Sequence, residues 1–218
     1  RRSCIYARNI WSGIMPKRDN GTLRRKVNLR LRALRELEVP VILETHAGFG
    51  RLWHYCYQAY DGVALEFDPV RISSVARQRP TWACYQVDCI PALRAGIGTH
   101  LPINFVDIDP YGSPWPVVDA LFQGQRVWPE QLVVVVNDGL RQKAQRGGAW
   151  DTADLEGAVQ RYGNESVYAR YLEIAQGMFA DKAAQAEYRL SRWTGYYCGY
   201  GQQMTHYAAV LTRDGGVK

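Results

Sequence analysis

INFVDIDPYGSP, residues 103–114, decides how this chain reads. The apolar run Ile103, Phe105, Val106 and Ile108 has the length and β-branched content of a buried parallel strand, and Pro110 with Gly112 must end it. Asp109 and Tyr111 are therefore delivered to a strand's carboxyl end, where open α/β sheets bind ligands. An acid, a proline carbonyl and an aromatic ring in succession suit a flat base that carries an amino group. The carboxylate and the Pro110 carbonyl are pure acceptors for its two N–H donors, and the Tyr111 ring offers a stacking face. The plainer reading is a turn with a helix N-cap, which Asp-Pro supplies often.

Upstream, Val41-Ile42-Leu43 reads as a short buried strand, and Glu44-Thr45-His46-Ala47-Gly48-Phe49-Gly50 as a glycine-bearing turn before a helix over 52–57. Strand, Gly-x-Gly turn and helix open a nucleotide-binding βα unit. The next strand, 62–66, ends in Glu66, where a carboxylate can accept both hydroxyls of a ribose. A helix over 70–77 and a strand over 82–87 follow, ended by Asp88, which beside an adenine edge would accept from its exocyclic amine. Each acid taken singly is more often a helix N-cap. A helix over 90–96 leads into the central strand.

Downstream, a helix over 117–122 precedes Leu132-Val133-Val134-Val135-Val136, the plainest buried strand in the chain. Residues 141–152 combine Arg141, Lys143 and Arg146 with two glycines and Trp150, and read as a mobile basic flap or a surface loop. Asn164 reads as the N-cap of one helix carrying Val167, Tyr171, Ile174 and Met178 on a stripe. Strands over 191–199 and 202–212 form a terminal β-hairpin. The order predicts an α/β, Rossmann-like fold of parallel strands and helices closed by an antiparallel hairpin. A dinucleotide dehydrogenase would continue with a sixth parallel strand instead.

With 218 residues and 47% hydrophobic content, the chain suits one α/β domain plus an appendage. We expect a basic arm and helix over 1–39 and the main domain over 40–218. Within the arm, Leu23, Val27, Leu31, Leu34 and Leu37 or Val39 mark an amphipathic helix closed by Pro40. Residues 1–35 hold eleven Lys/Arg against one acid, which leaves sixteen bases and twenty acids of the totals of 27 and 21. A basic arm on a mildly acidic body predicts contact with a polyanion, through Arg24, Arg25, Lys26 and Arg30 and through the flap. The five scattered cysteines indicate neither a disulfide framework nor a metal site. No apolar run reaches the roughly 20 residues that span a bilayer, and the start lacks the apolar core of a signal peptide. The expectation is a cytoplasmic protein with no membrane partner.

The strand-end motifs ETHAGFG, LEFDP, YQVD and DIDPYGSP, together with the hairpin, resemble the class I S-adenosylmethionine-dependent methyltransferases. VDIDPYGSP is similar to the D-L-D-P-[FY]-G-[ST]-P turn of the tRNA guanine-N2 dimethyltransferases, and more loosely to the [DNS]-P-P-[YFW] turn of amino-methylating DNA and RNA enzymes. The resemblance spans about 41–136 and implies a seven-stranded, mostly parallel sheet whose last strand lies antiparallel beside the fifth. It implies S-adenosyl-L-methionine as cofactor and a nucleic acid as partner, RNA before DNA. Asp109 and the Pro110 carbonyl would orient the target amine and Tyr111 stack on the base. Glu66 would hold the cofactor ribose, Asp88 meet the adenine, and Glu44, Gly48 and Gly50 surround the methionine moiety, with His46 and Asp107 completing the cofactor set. His46 itself reads as a structural donor rather than a general base. Where many relatives are richer in glycine, this turn has Thr45-His46. A DNA adenine or cytosine amino-methyltransferase and a non-catalytic binding module are the alternatives. The former commonly has a second proline where this chain has Tyr111.

Overall fold

A computed structural model describes residues 22–79, 81–145 and 149–214. Among them seven strands form one sheet in the order β3-β2-β1-β4-β5-β7-β6. They are β1 (Val41–Glu44), β2 (Asp61–Glu66), β3 (Ala83–Gln86), β4 (Phe105–Ile108), β5 (Gln131–Asp138), β6 (Tyr188–Cys198) and β7 (Met204–Arg213). The first five run parallel; β7 inserts antiparallel between β5 and β6. This is the expected seven-stranded, Rossmann-like methyltransferase sheet. The strand order reverses between β1 and β4, and a crevice opens beyond their carboxyl ends.

Alternation along the central strands feeds two cores. Leu43, Val106, Ile108, Val134 and Val136 face one side, with α4 (Trp115–Gln123) and α8 (Tyr171–Gln185). Ile42, Phe105, Val133 and Val135 face the other, with Val27, Leu29 and Ala33 of α1 (Leu23–Ala33). Burial of such a side chain stabilises by roughly 1.5–3 kcal/mol, so both faces of the sheet must be covered. That requirement docks α1 on it. Lys26 and Arg30, one helical turn apart, rise about 6 Å along α1, close to the roughly 6.6 Å between alternate strand residues. They meet Asp109 and Asp107 respectively, in antiparallel sense.

α2 (Pro69–Gln78) and α3 (Cys89–Arg94) start at Asp68 and Asp88, whose side chains accept the next free N–H groups. After the first turn the chain winds wide over Trp53–Tyr57 with π-helical spacing, which brings Tyr57 fully into the core.

The expected single helix from Asn164 is two, α7 (Asn164–Ala169) and α8, broken at Arg170. The cause lies on the hairpin: the Tyr197 hydroxyl accepts from Leu172 N and donates to the Ala169 carbonyl, filling the gap. Asn164 is not the cap, which is Gly163; its side chain instead accepts from the Trp150 indole. Sequence reading also passed over α6 (Ala153–Tyr162), capped by Thr152 and burying little besides Leu155. Residues 141–145 continue the short helix α5 (Leu140–Gln145), and Trp150 is buried, stacked on Tyr171 at 5.3 Å. Neither of these described pieces is a free flap. Arg146 lies outside the described residues, as does the arm before Thr22, and the Lys143 side chain is not among those described.

Candidate active site

A cleft of about 880 Å³ opens where β1, β2 and β4 end. The first turn supplies Glu44, His46, Gly48 and Phe49, the end of β2 supplies Glu66, and the turn after β4 supplies Asp109, Pro110, Tyr111 and Gly112. Thr22, Leu23 and Lys26 at the start of α1 also line it, as do Gly139, Gln142 and Met204. Seven of the sequence-predicted cofactor and base residues thus converge on one space.

The first turn is held by its own acid. Glu66 accepts from Gly48 N through Oε2 at 2.8 Å and from Asp68 N through Oε1 at 3.0 Å, so its carboxylate faces the turn. Gly48 has φ +55, and a Cβ there would meet nothing within 4 Å because it would project into the cleft. Glycine serves here by allowing that conformation and leaving the space empty. Gly50, also expected at the ligand, stands behind the turn against the Arg79 guanidinium and does not line the cleft.

Glu44 is buried and takes Arg79 Nη1 on Oε2 at 2.7 Å, while Oε1 has no partner among the described residues. Arg79 itself lies between the Trp53 and Trp82 rings, 5.1 and 5.0 Å from their centroids. Burial pushes the Glu44 carboxyl up to about 7, with Arg79 opposing. His46 is bonded to Thr45 Oγ1 at 2.8 Å and touches Cys89 Sγ; burial lowers its pKa against the pull of Asp109.

Asp109 points into the cleft, where Lys26 Nζ donates to both its oxygens at 2.8 and 3.0 Å. Burial would raise its pKa, but Lys26 and then Arg30 hold it below the ordinary carboxylate range. The turn that follows is braced from β5: Gly139 N donates to the Gly112 carbonyl at 2.9 Å. Tyr111 is 96% exposed, its ring free at the cleft mouth.

Four expected contacts need correction. Asp107 is fully buried, accepting from Arg30 Nε and Nη2 and from Tyr57 Oη at 2.6 Å, and does not reach the cleft. Arg30 is sealed with it and cannot touch a nucleic acid. Arg141 is buried too, sandwiched between Tyr168 and Tyr197 at 3.9 and 4.1 Å and donating to the Tyr168 and Gln202 carbonyls. Asp88 is exposed at the end of β3, caps α3 and is not a lining residue. Arg24 and Arg25 do stand exposed on α1, Arg25 donating to the Tyr197 carbonyl. Arg51 and Arg71, which no motif singled out, line the cleft.

No protein-family model and no curated protein sequence matches the chain. Solved structures do share its fold. M. jannaschii TYW2, crystallised with AdoMet, aligns with a TM-score of 0.57 at 13% identity, over 92% of this chain and 78% of that one. The plantazolicin methyltransferase BamL, crystallised with SAH, gives 0.52 at 9% identity over 88% and 84%. The cyclopropane synthase MmaA2 from Mycobacterium tuberculosis gives 0.52 at 11% over 87% and 84%. The chain therefore has the class I methyltransferase fold, and among the described residues no helix is long and apolar enough to cross a membrane.

Proposed function

We propose that this protein is an S-adenosyl-L-methionine-dependent methyltransferase acting on an exocyclic amino group of a nucleic-acid base, guanine N2 in RNA. The observation that carries the reading is that Asp109, Pro110 and Tyr111 share one cleft with the Gly48 turn and Glu66. The residues present fit the cofactor. Gly48 leaves a cradle that a Cβ would fill, Glu66 keeps lone pairs beyond the two it uses, and Glu44 Oε1 is a buried acceptor with no partner among the described residues. Glu66 would hold the ribose, and Glu44 with the turn the methionine end. The fold neighbours crystallised with AdoMet or SAH support the same assignment.

When bound, the cofactor supplies a sulfonium methyl group: the amine lone pair forms the C–N bond as the C–S bond breaks, its electrons leaving on sulfur. The amine is a poor nucleophile because its lone pair is delocalised into the ring. Asp109 and the Pro110 carbonyl accept its two N–H bonds and favour a pyramidal nitrogen with an exposed lone pair. Tyr111 stacks on the base, and the Gly139–Gly112 bond fixes the turn that presents all three. Positioning of this kind can supply up to about 7–11 kcal/mol of a barrier. The surplus proton on the methylated nitrogen passes to Asp109 or water. Exposed Arg24 and Arg25 with Arg51 and Arg71 at the cleft favour the phosphates of a polynucleotide.

The test is incubation with methyl-labelled S-adenosylmethionine and separate tRNA, rRNA and DNA pools, followed by nucleoside mass analysis. N2-methylguanosine in RNA is expected. Label in DNA adenine or cytosine would move the substrate to DNA, and label in no pool would overturn the reading.

A further inference from the structure

Lys26 occupies an unexpected place. Its neighbours on α1 divide cleanly, Arg24 and Arg25 exposed and Arg30 fully buried, whereas its ammonium sits in the cleft across both oxygens of Asp109. Both side chains of the pair are about one-fifth exposed, at 19% and 22%. Under the amine-methylation reading, on which this inference rests, the arrangement works against the reaction. Positive charge develops on nitrogen as the C–N bond forms, and a carboxylate already paired with an ammonium stabilises that charge less. The ammonium also crowds the acceptor meant for the amine.

We propose that Lys26 is a latch on the amine site, closed on Asp109 in the free protein and drawn off by the phosphate backbone of an incoming nucleic acid, so that strands are methylated and free nucleosides are not. Lysine suits such a latch because it carries a compact charge on a flexible four-carbon stem, with no planar fork to satisfy. Exchange of a carboxylate for a phosphate leaves the cation paired throughout, and the cleft that receives the strand already carries Arg51 and Arg71. Arg30, forked onto Asp107 in the core, has no such freedom.

Other groups facing Asp109 do not offer this exchange. Arg30 on α1 is sealed, Asp107 behind it is neutralised by that guanidinium, and Asn137 at the end of β5 carries no charge. His46 after β1 and His206 on β7 are held neutral by burial, His206 down to about 3. Lys26 alone among them is both charged and within reach of solvent.

The experiment follows the Asp109 carboxyl carbon by NMR titration in the full chain, assigned with Asp109→Asn, with and without sodium tripolyphosphate, a polyanion that carries no base. In wild type the midpoint should rise by about one pH unit or more on adding tripolyphosphate. In Lys26→Met it should start raised and stay put. A wild-type midpoint that does not move, or a Lys26→Met midpoint equal to the wild-type one, overturns the latch. In parallel, methylation of guanosine is compared with that of tRNA. Lys26→Met should gain about tenfold on guanosine relative to tRNA, Lys26→Arg should not, and an unchanged ratio in Lys26→Met overturns the latch. If wild type methylates neither probe, the methyltransferase reading fails, and the titration still decides the latch.

Discussion

Asp107 and Asp109 leave the same strand end two residues apart, and one helix gives them opposite environments. The Asp107–Arg30 pair has both side chains at 0% exposure and adds the Tyr57 hydroxyl, so nothing in it can be exchanged for a ligand. The Asp109–Lys26 pair is partly solvated and opens on the cleft. The difference teaches that distance into the sheet, together with the choice of cation, separates an ion pair sealed in the core from one open to exchange. At the sheet interior, fixed partners compensate the buried charge; at the rim, the partner can be replaced.

The sharpest way to break this contrast is to remove the inner cation. Arg30→Met leaves Asp107 buried and uncompensated and should cost about 3–5 kcal/mol in denaturant unfolding. A matched Arg30→Met/Asp107→Leu protein should recover much of it. At the rim, Asp109→Asn should lower methyl transfer by about a hundredfold, change stability by under about 1 kcal/mol, and leave cofactor affinity by calorimetry within a few-fold. Parallel loss of cofactor binding would make Asp109 structural, like its neighbour.

Asp138 sharpens the comparison, for it is as buried as Asp107 but has hydroxyl partners and no cation: Tyr171 Oη at 2.6 Å and Tyr207 Oη at 3.4 Å, with Leu140 N on its other oxygen. Burial pushes its carboxyl up to about 7 against those hydrogen bonds. The folded state therefore binds the proton more tightly than the unfolded chain. This contribution to stability is present at low pH and is lost as pH rises from about 4 to 7. Glu44 works in the same direction and His206 in the opposite one, so the variant-minus-wild-type difference is the quantity to follow. Asp138→Asn should remove a pH dependence of about 1.4 kcal/mol per pH unit, roughly 4 kcal/mol across that range; an unchanged thermal-unfolding profile would mean the carboxyl titrates normally.

Two smaller effects concern the cleft and its approach. Glu66→Ala removes the acceptor that ties Gly48 N and should weaken S-adenosylmethionine by about tenfold in calorimetry. Equal affinity would free Glu66 from the ribose. Arg24→Ala/Arg25→Ala should lower nucleic-acid affinity alike for all sequences and flatten its logarithmic salt dependence by about 1.5 units.

The strands were readable because each is a continuous or alternating apolar run bounded by a turn residue, and the hairpin because its two runs flank a Gly-Tyr-Gly connection. The cleft residues of the Gly48 and Asp109 turns were readable for the same reason, since a motif at a strand's end has only one place to go. Other features resisted reading. The break at Arg170 depends on Tyr197, a hydroxyl 25 or more residues away that no local pattern announces. Arg141 looked like a surface cation because nothing nearby shows that Tyr168 and Tyr197 will close over it.

By itself the sequence determined the order of the strands, the sheet class and the acids and glycines of the strand-end turns, because hydrophobic periodicity and turn chemistry act over a few residues. Only the tertiary structure decided which of the cations on α1 are exposed, which is sealed on Asp107 and which stands over Asp109. Those fates follow from the match between one turn of helix and two residues of strand, a register that exists only once the helix has packed on the sheet.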